Sequence, residues 1–257
     1  MNIDNEKVKE LVKSTDSIIF DEDLVSRVDE KGFANYVTAV DTSVQHYLEK
    51  ELSRLYPDIA LMGEEEGEDV LHPEKACWIL DPVDGTANLM HHYNMSAVSL
   101  GLWDKGRIIF GVVYNPFTKE LFTAARGEGA YLNGKRIHTS GLEHISQCIF
   151  DFGTGPYRKD LADDSFGKLT EIFKACQDIR RTGSAALDLC YTACGRCDGF
   201  FEISLKPWDY AAGAVILEEA GGVISDWNGD PVTYDKGCAV CAACSKAVQK
   251  ELLGYLR

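Results

Sequence analysis

Asp81 and Asp84 flank Pro82-Val83 at the end of the apolar run Trp78-Ile79-Leu80, and Gly85-Thr86 follow directly. Read as a buried strand, the run delivers both carboxylates to its C-terminal end, the edge where open α/β sheets gather ligand chemistry. Gly85-Thr86 reads as the start of a helix. Its first N–H groups lack intrahelical acceptors and face any anion held beside the carboxylates. Hard oxygen donors next to an anion-binding helix start make a site for Mg²⁺ and phosphate. Two more acids occupy comparable positions: Glu64, in Gly63-Glu64-Glu65-Glu66-Gly67, and Asp209, between Trp208 and Tyr210-Ala211-Ala212-Gly213-Ala214. An acid at a helix start has a simpler explanation, since it complements the helix dipole. That accounts for any one of these residues, but poorly for a pair bracketing a proline at a bend. The small residues after Asp209 let backbone approach closely, as a crowded metal site requires.

The elements that must position these acids follow from periodicity. Apolar positions from Asn5 to Val28 suit one or two amphipathic helices with a break near Ser14–Ser17. Tyr36 to Asp41 reads as a short extended piece, with Asp41 or Thr42 capping a helix that runs to Leu55. Ile59-Ala60-Leu61-Met62 is a strand that ends at Glu64. Strands are expected at 96–103, 108–114, 120–125 and 130–137, the last with an Asn133-Gly134 turn, which makes an antiparallel sheet. The second half alternates: a helix over 165–175, a strand at 178–181, an Ala-rich helix from Ser184 and a strand at 199–202. A helix over 208–220 is stopped by Gly221-Gly222, and a strand from Val223, a strand over 239–243 and a helix over 245–255 follow. The division expected is two sub-domains, 1–145 holding most of the acids and 146–257 completing the site.

Composition narrows the function classes. The chain has 257 residues, 45% of them hydrophobic, enough for a sizeable core. Asp and Glu number 41 against 26 Lys and Arg, a net charge of −15. Such a surface disfavours nucleic acid and anionic membranes as partners. It would repel a phosphate ester too, unless bound divalent cations reverse the local field. No apolar run reaches the length of a membrane span, and no export signal is seen at Met1-Asn2-Ile3, so a cytoplasmic location is expected. The nine cysteines are expected to be reduced thiols. Cys190-x3-Cys194-x2-Cys197 has iron–sulfur spacing but falls on a helix packed by small residues. Cys238-x2-Cys241-x2-Cys244 lies in a strand that would point its thiols apart. Both clusters read as buried small hydrophobes.

Gly63-Glu64-Glu65, Asp81-Pro82-Val83-Asp84-Gly85-Thr86-Ala87-Asn88-Leu89-Met90-His91 and Trp208-Asp209-Tyr210-Ala211-Ala212-Gly213 together resemble the three signature motifs of the inositol monophosphatase family. They occur in the family's order, with Val37-Thr38-Ala39-Val40-Asp41 similar to a weaker fourth element, and the resemblance runs from about residue 35 to 245. It implies a layered αβαβα sandwich of the sugar phosphatase type, with an antiparallel sheet in the first half and a smaller mixed sheet in the second. It also implies Mg²⁺, two to three ions per site. Glu64, Asp81 and the Val83 carbonyl would hold the first, and Asp81, Asp84 and Asp209 the second. Gly85 and Thr86 N–H groups would bind phosphate, and Glu64, Thr86 and Asp41 would orient the attacking water. Ser184, Ala185, Glu202 and Asp209 fall where the family touches the alcohol. Ser184 reads equally as an N-cap, and Glu202 as an exposed strand-end acid. His91 and His92 are assigned no chemical role.

The activity so implied is hydrolysis of a phosphate monoester, myo-inositol monophosphate first, by in-line attack of metal-activated water. Lithium sensitivity and a homodimer come with the resemblance. Fructose-1,6-bisphosphate or a nucleotide phosphate is the alternative substrate. The nucleotide branch carries a Lys-Glu pair where this chain has Ala87-Asn88. A basic residue placed for a second phosphate would favour the bisphosphate, and Arg158 or Lys159 is the candidate. A regulatory binding protein is the reading from another class. Ala87, Leu89-Met90 and His92-Tyr93-Asn94-Met95 depart from the family pattern without removing a proposed ligand.

Overall fold

The protein is described from a computed structural model covering residues 3–32, 35–65 and 71–257. In chain order its elements begin with α1 (Asn5–Lys13), α2 (Asp16–Ile19), α3 (Glu22–Val25), β1 (Val28–Gly32), β2 (Asn35–Thr38), α4 (Ala39–Leu55), β3 (Ala60–Gly63), β4 (Cys77–Asp84) and α5 (Thr86–Met90). A run of strands follows: β5 (Ala97–Asp104), β6 (Arg107–Asn115), β7 (Glu120–Ala125), β8 (Gly129–Leu132) and β9 (Lys135–Ile137). The second half comprises β10 (Ile149–Phe152), α6 (Ala162–Ala175), β11 (Asp178–Arg180), α7 (Ala185–Ala193), β12 (Gly199–Leu205), α8 (Pro207–Glu219), β13 (Val223–Ser225), β14 (Cys238–Ala243) and α9 (Lys246–Leu256).

One seven-stranded sheet runs β3-β4-β5-β6-β7-β8-β9, parallel between β3 and β4 and antiparallel from β4 onward. A five-stranded sheet, β11-β10-β12-β14-β13, is mixed: β10 is parallel to β11 and β12, and β14 is antiparallel to β12 and β13. Side-chain alternation along each strand explains how the layers stack. From β4, Trp78 and Leu80 meet Val8 and Val12 of α1 and Val40, Val44 and Leu48 of α4. Cys77 and Ile79, on the opposite face, meet Ala211 and Val215 of α8. Ala186, Leu187, Ala212 and Ile216 fill the space between the first sheet and Phe200, Val240 and Ala242 of the second. Phe150, Phe201 and Cys241 on the far face of the second sheet pack on Ile172 of α6 and Val248 and Leu252 of α9. The layers are therefore α1/α4, first sheet, α7/α8, second sheet, α6/α9: the αβαβα arrangement.

The Ala/Gly segment of α8 has a different cause from the one read in the sequence. A side chain at Gly101 would come within 3.1 Å of Ala211 Cβ, and one at Gly111 within 2.7 Å of the Ala212 carbonyl oxygen. Gly213 faces Leu189 of α7 equally closely. The small residues let α8 nest against the sheet and α7, rather than making room for a metal. Another expectation shifts as well. The helix through Asp41 is capped by Thr38, whose side chain accepts from Val40 N–H, and Asp41 is the third residue of the capping box.

Candidate metal and phosphate site

In a regular strand, positions 81 and 84 would point to opposite faces. The β4–β5 register does not stay regular: Asp81 pairs with Ser99 and Asp84 with Ala97, so three steps on one strand match two on the other. This bulge spans Pro82, which has no N–H to give the ladder. The extra residue brings both carboxylates to one side, and Val83 N–H closes the turn onto Asp81 Oδ1 at 3.0 Å. Asp209 arrives from the first turn of α8, where its carboxylate accepts from Lys206 N–H at 2.7 Å. Carboxylate oxygens of Asp81, Asp84 and Asp209 lie within 4.8 Å of one another. Glu64, just past β3, hydrogen-bonds to Asp81 and is tied to β4 by its N–H on the Leu80 carbonyl at 3.2 Å. Glu66 and Gly67, which extend that acidic run, lie outside the described residues.

This concentration of charge is costly without a cation. Burial, then the charges of Glu64, Asp84 and Asp209, pushes the Asp81 carboxyl well above its ordinary range. Asp209 is pushed up by burial and then by Glu64 and Asp84. Asp84 rises to about 6 through burial, opposed by the Ser184 hydroxyl and the Ala186 and Ala185 N–H groups. Mutually repelling, all-oxygen donors, with Asp81 and Asp84 buried and Asp209 and Glu64 partly so, are the donor set of a hard divalent cation, which would reverse each shift. The residues present therefore fit Mg²⁺.

Next to the acids, Gly85 caps α5 in the left-handed conformation at φ 89°. A side chain there would meet the Met95 carbonyl at 2.9 Å and the Gly183 carbonyl at 3.1 Å, so both conformation and space require glycine. Thr86 donates its hydroxyl to Asp41 Oδ1 at 2.8 Å and also lies 3.1 Å from the Val83 carbonyl oxygen. Asp41 is fully buried, and its other oxygen accepts the Thr38 N–H and hydroxyl. Burial raises its pKa, against the lowering effect of Thr38 and Thr86.

The second half supplies the opposite wall. Ser184 caps α7, accepting from Leu187 N–H at 3.3 Å while donating to Asp84 at 2.5 Å. The N-cap reading of Ser184 therefore holds, and the same side chain also braces Asp84. Ala185 is the first residue of α7, and its N–H also bears on Asp84. Glu202 is not an exposed strand-end acid. It is 7% exposed, accepts Gly155 N–H at 2.8 Å and is pushed up to about 7 by burial, opposed by that N–H and the charge of Arg181. Arg158, expected to reach a second phosphate, is paired instead with its neighbour Asp160 at 2.8 Å. His91 and His92 are exposed.

Several residues of the site have no role implied by the motifs. Gln45 of α4 accepts Glu65 N–H at 3.0 Å and packs where a side chain on Gly63 would have to sit. Asn88 donates to the carbonyls of Met95 and Thr182 at 2.7 and 3.0 Å, stitching α5 to the loop before α7. Buried Asp188 holds the Thr182 hydroxyl on that same loop. Tyr157 is 56% exposed, yet its hydroxyl feels the charge of the acids. It is pushed up by desolvation and then by Glu64, Asp209, Asp81 and Asp84. Asn88 lies inside the motif at 81–91 without a role implied for it, and Asp188 and Tyr157 come from segments with no motif.

Fold and acidic site are those of a metal-dependent phosphatase class. The profile of the inositol monophosphatase family matches residues 3–257, and the chain belongs to that family. It is 42% identical over 200 residues to the Nus factor SuhB of Salmonella typhimurium, covering 78% of this chain and 75% of that one. The crystal structure of the extragenic suppressor protein suhB from Bartonella henselae superposes with a TM-score of 0.89 at 33% identity, over 98% of this chain and 97% of that one. The inositol monophosphatase from Anabaena gives 0.86 at 29%, over 98% and 94%. No helix among the described residues is long and apolar enough to cross a membrane.

Proposed function

We propose that the protein is a Mg²⁺-dependent phosphomonoesterase that hydrolyses a small phosphate ester, with myo-inositol monophosphate as the leading substrate. The convergence of Asp81, Asp84 and Asp209 within 4.8 Å, beside the first turn of α5, supports this reading most strongly. Glu64, Asp81, the Val83 carbonyl, Asp84 and Asp209 would hold two to three ions. When bound, Mg²⁺ offsets the charge of the phosphate dianion and makes water a better nucleophile at neutral pH.

The chain's own residues do the rest. Gly85 and Thr86 present backbone N–H groups to the phosphate oxygens, where the start of the helix favours negative charge. The Thr86 proton is committed to Asp41, so Thr86 Oγ1 is left to accept from the attacking water. Glu64, on the other side of Asp81, aligns the same water for in-line displacement. Glu202 accepts hydroxyl hydrogen bonds from the alcohol, with Ser184 and Ala185 shaping the pocket beside it. Attack is directly at phosphorus, with no phosphoenzyme.

Phosphate release from a panel of esters, with and without Mg²⁺, tests the activity. Single turnover in ¹⁸O water tests the route: label is expected in the phosphate, and label in the alcohol would contradict it. Inhibition by Li⁺ and a homodimer of twice the 28.4 kDa chain belong to the same reading. A second reading has its support in the SuhB relatives, which are named Nus factors. A binding role of that kind would be additional to hydrolysis, since the ligand set is intact. It would survive Asp81→Asn, whereas hydrolysis would not.

A further inference from the structure

Arg181 lies on the loop between β11 and α7, the loop that also carries Gly183 and Ser184. Its side chain is exposed, and Nη2 donates to the Thr154 hydroxyl at 3.2 Å. The guanidinium thus spans from the 181–184 loop to the 153–158 loop, the two loops that face Glu202 and Asp84. Gly183, at φ +92°, makes the space: a side chain there would overlap Arg181 Nη1 and crowd Asn88 at 3.0 Å. The carbonyl of the same glycine abuts Gly85 at the start of α5. Arg181 is therefore one residue's thickness from the expected phosphate cradle, on the side toward Glu202.

Its electrostatic situation differs from that of neighbouring arginines. Arg158 is paired with Asp160, Arg180 with Asp178 and Arg196 with Glu120. Among the described residues no carboxylate lies within ion-pair distance of Arg181, and its one hydrogen bond is to a neutral hydroxyl. Its charge nevertheless bears on both Asp84 and Glu202. A guanidinium has five donors in a planar fork. One is used on Thr154, which fixes the plane and leaves the rest for an oxyanion.

Resting on the phosphomonoesterase reading, but replacing inositol monophosphate as its preferred ester, we propose that Arg181 binds a second anionic group on the alcohol part of the substrate and so selects esters that carry one. The scissile phosphate sits at α5, Glu202 takes a hydroxyl, and Arg181 with Thr154 binds the distal phosphate or carboxylate. This is the role the sequence offered to Arg158, placed on a different residue.

The test compares fructose 1-phosphate with fructose 1,6-bisphosphate on the wild-type protein, Arg181→Gln and Arg181→Lys. Wild type should favour the bisphosphate in kcat/KM by about tenfold or more, as a charge-assisted contact provides. Arg181→Gln should erase that preference through KM, leaving the monophosphate rate within about threefold. Arg181→Lys should recover part of it. Equal losses on both esters would instead put Arg181 on the scissile phosphate, and an unchanged ratio would remove it from recognition; either overturns the proposal. Calorimetric titration of both ligands, with Ca²⁺ in place of Mg²⁺, reads the same selectivity without turnover. If wild type hydrolyses neither ester nor myo-inositol monophosphate, the phosphomonoesterase reading fails, and the titration alone decides the role of Arg181. Tighter bisphosphate binding that is lost in Arg181→Gln supports it, and indifference sinks it.

Discussion

Ser184 donates its hydroxyl to Asp84 across 2.5 Å, joining residues 100 positions apart. Ala186 N–H reaches the same oxygen at 2.7 Å, so the start of α7, beside the second sheet, holds an acid delivered by the first. Ser184→Ala removes that bond and the α7 cap together, and is expected to cost about 1 kcal/mol of stability. Ser184→Gly keeps a tolerable cap at a cost of only a few tenths of a kcal/mol, roughly, but also frees Asp84. Both should weaken Mg²⁺ binding alike in calorimetric titration. Unchanged affinity in the two variants would uncouple Ser184 from the metal site.

Asp81 sits where the repulsion is greatest. Asp81→Asn should lower turnover about 10³-fold. The metal-free protein should nonetheless become more stable, because one buried charge facing three others is gone. Thermal melting in EDTA alongside the phosphate assay checks both halves. A variant less stable than wild type in EDTA would mean that the acids do not strain the empty site.

Thr86 couples the expected water to Asp41. Thr86→Val removes the hydroxyl and is expected to cost about 10²-fold in kcat with little change in KM, whereas Thr86→Ser should stay within about tenfold. Steady-state kinetics separates the two. Equal losses in Val and Ser variants would point to the methyl group's packing instead.

Glu202 gives a pH signature. Burial raises its folded pKa to about 7, above its unfolded value, so the folded state holds the proton more tightly. Its contribution to stability is complete at low pH, below the unfolded pKa, and is lost as pH rises through about 7. Glu202→Gln cannot lose it. The melting temperature of the variant relative to wild type should climb between pH 5 and 8 in metal-free buffer, toward a difference on the order of 2 to 3 kcal/mol. A pH-independent difference would place Glu202 in water.

The β4 run was legible because it is buried on both faces, and α1 and α4 because their apolar residues recur at the helical period. The antiparallel run from β5 to β9 followed from turn residues such as Asn133-Gly134, whereas the parallel pairing of β3 with β4 did not. The pair Asp81 and Asp84 was legible as a motif, but the bulge at Pro82 that aims both the same way was not, since it exists only against the β5 register. Asp41 was misread as a cap because Thr38 and Asp41 both suit a helix start, and only the hydrogen bonds decide their order. Arg158 and Arg181 were indistinguishable in the sequence. Their difference lies in Asp160, two residues along, which neutralises the first, and in Gly183, which makes room for the second.

Crystals soaked in Mn²⁺ and measured at its absorption edge test the metal site most directly. Anomalous peaks are expected between the carboxylates of Asp81, Asp84 and Asp209 and beside Glu64, and should vanish in Asp209→Ala crystals soaked alike. A map without density there, or with Mn²⁺ only on surface acids, would contradict the site and the chemistry assigned to it.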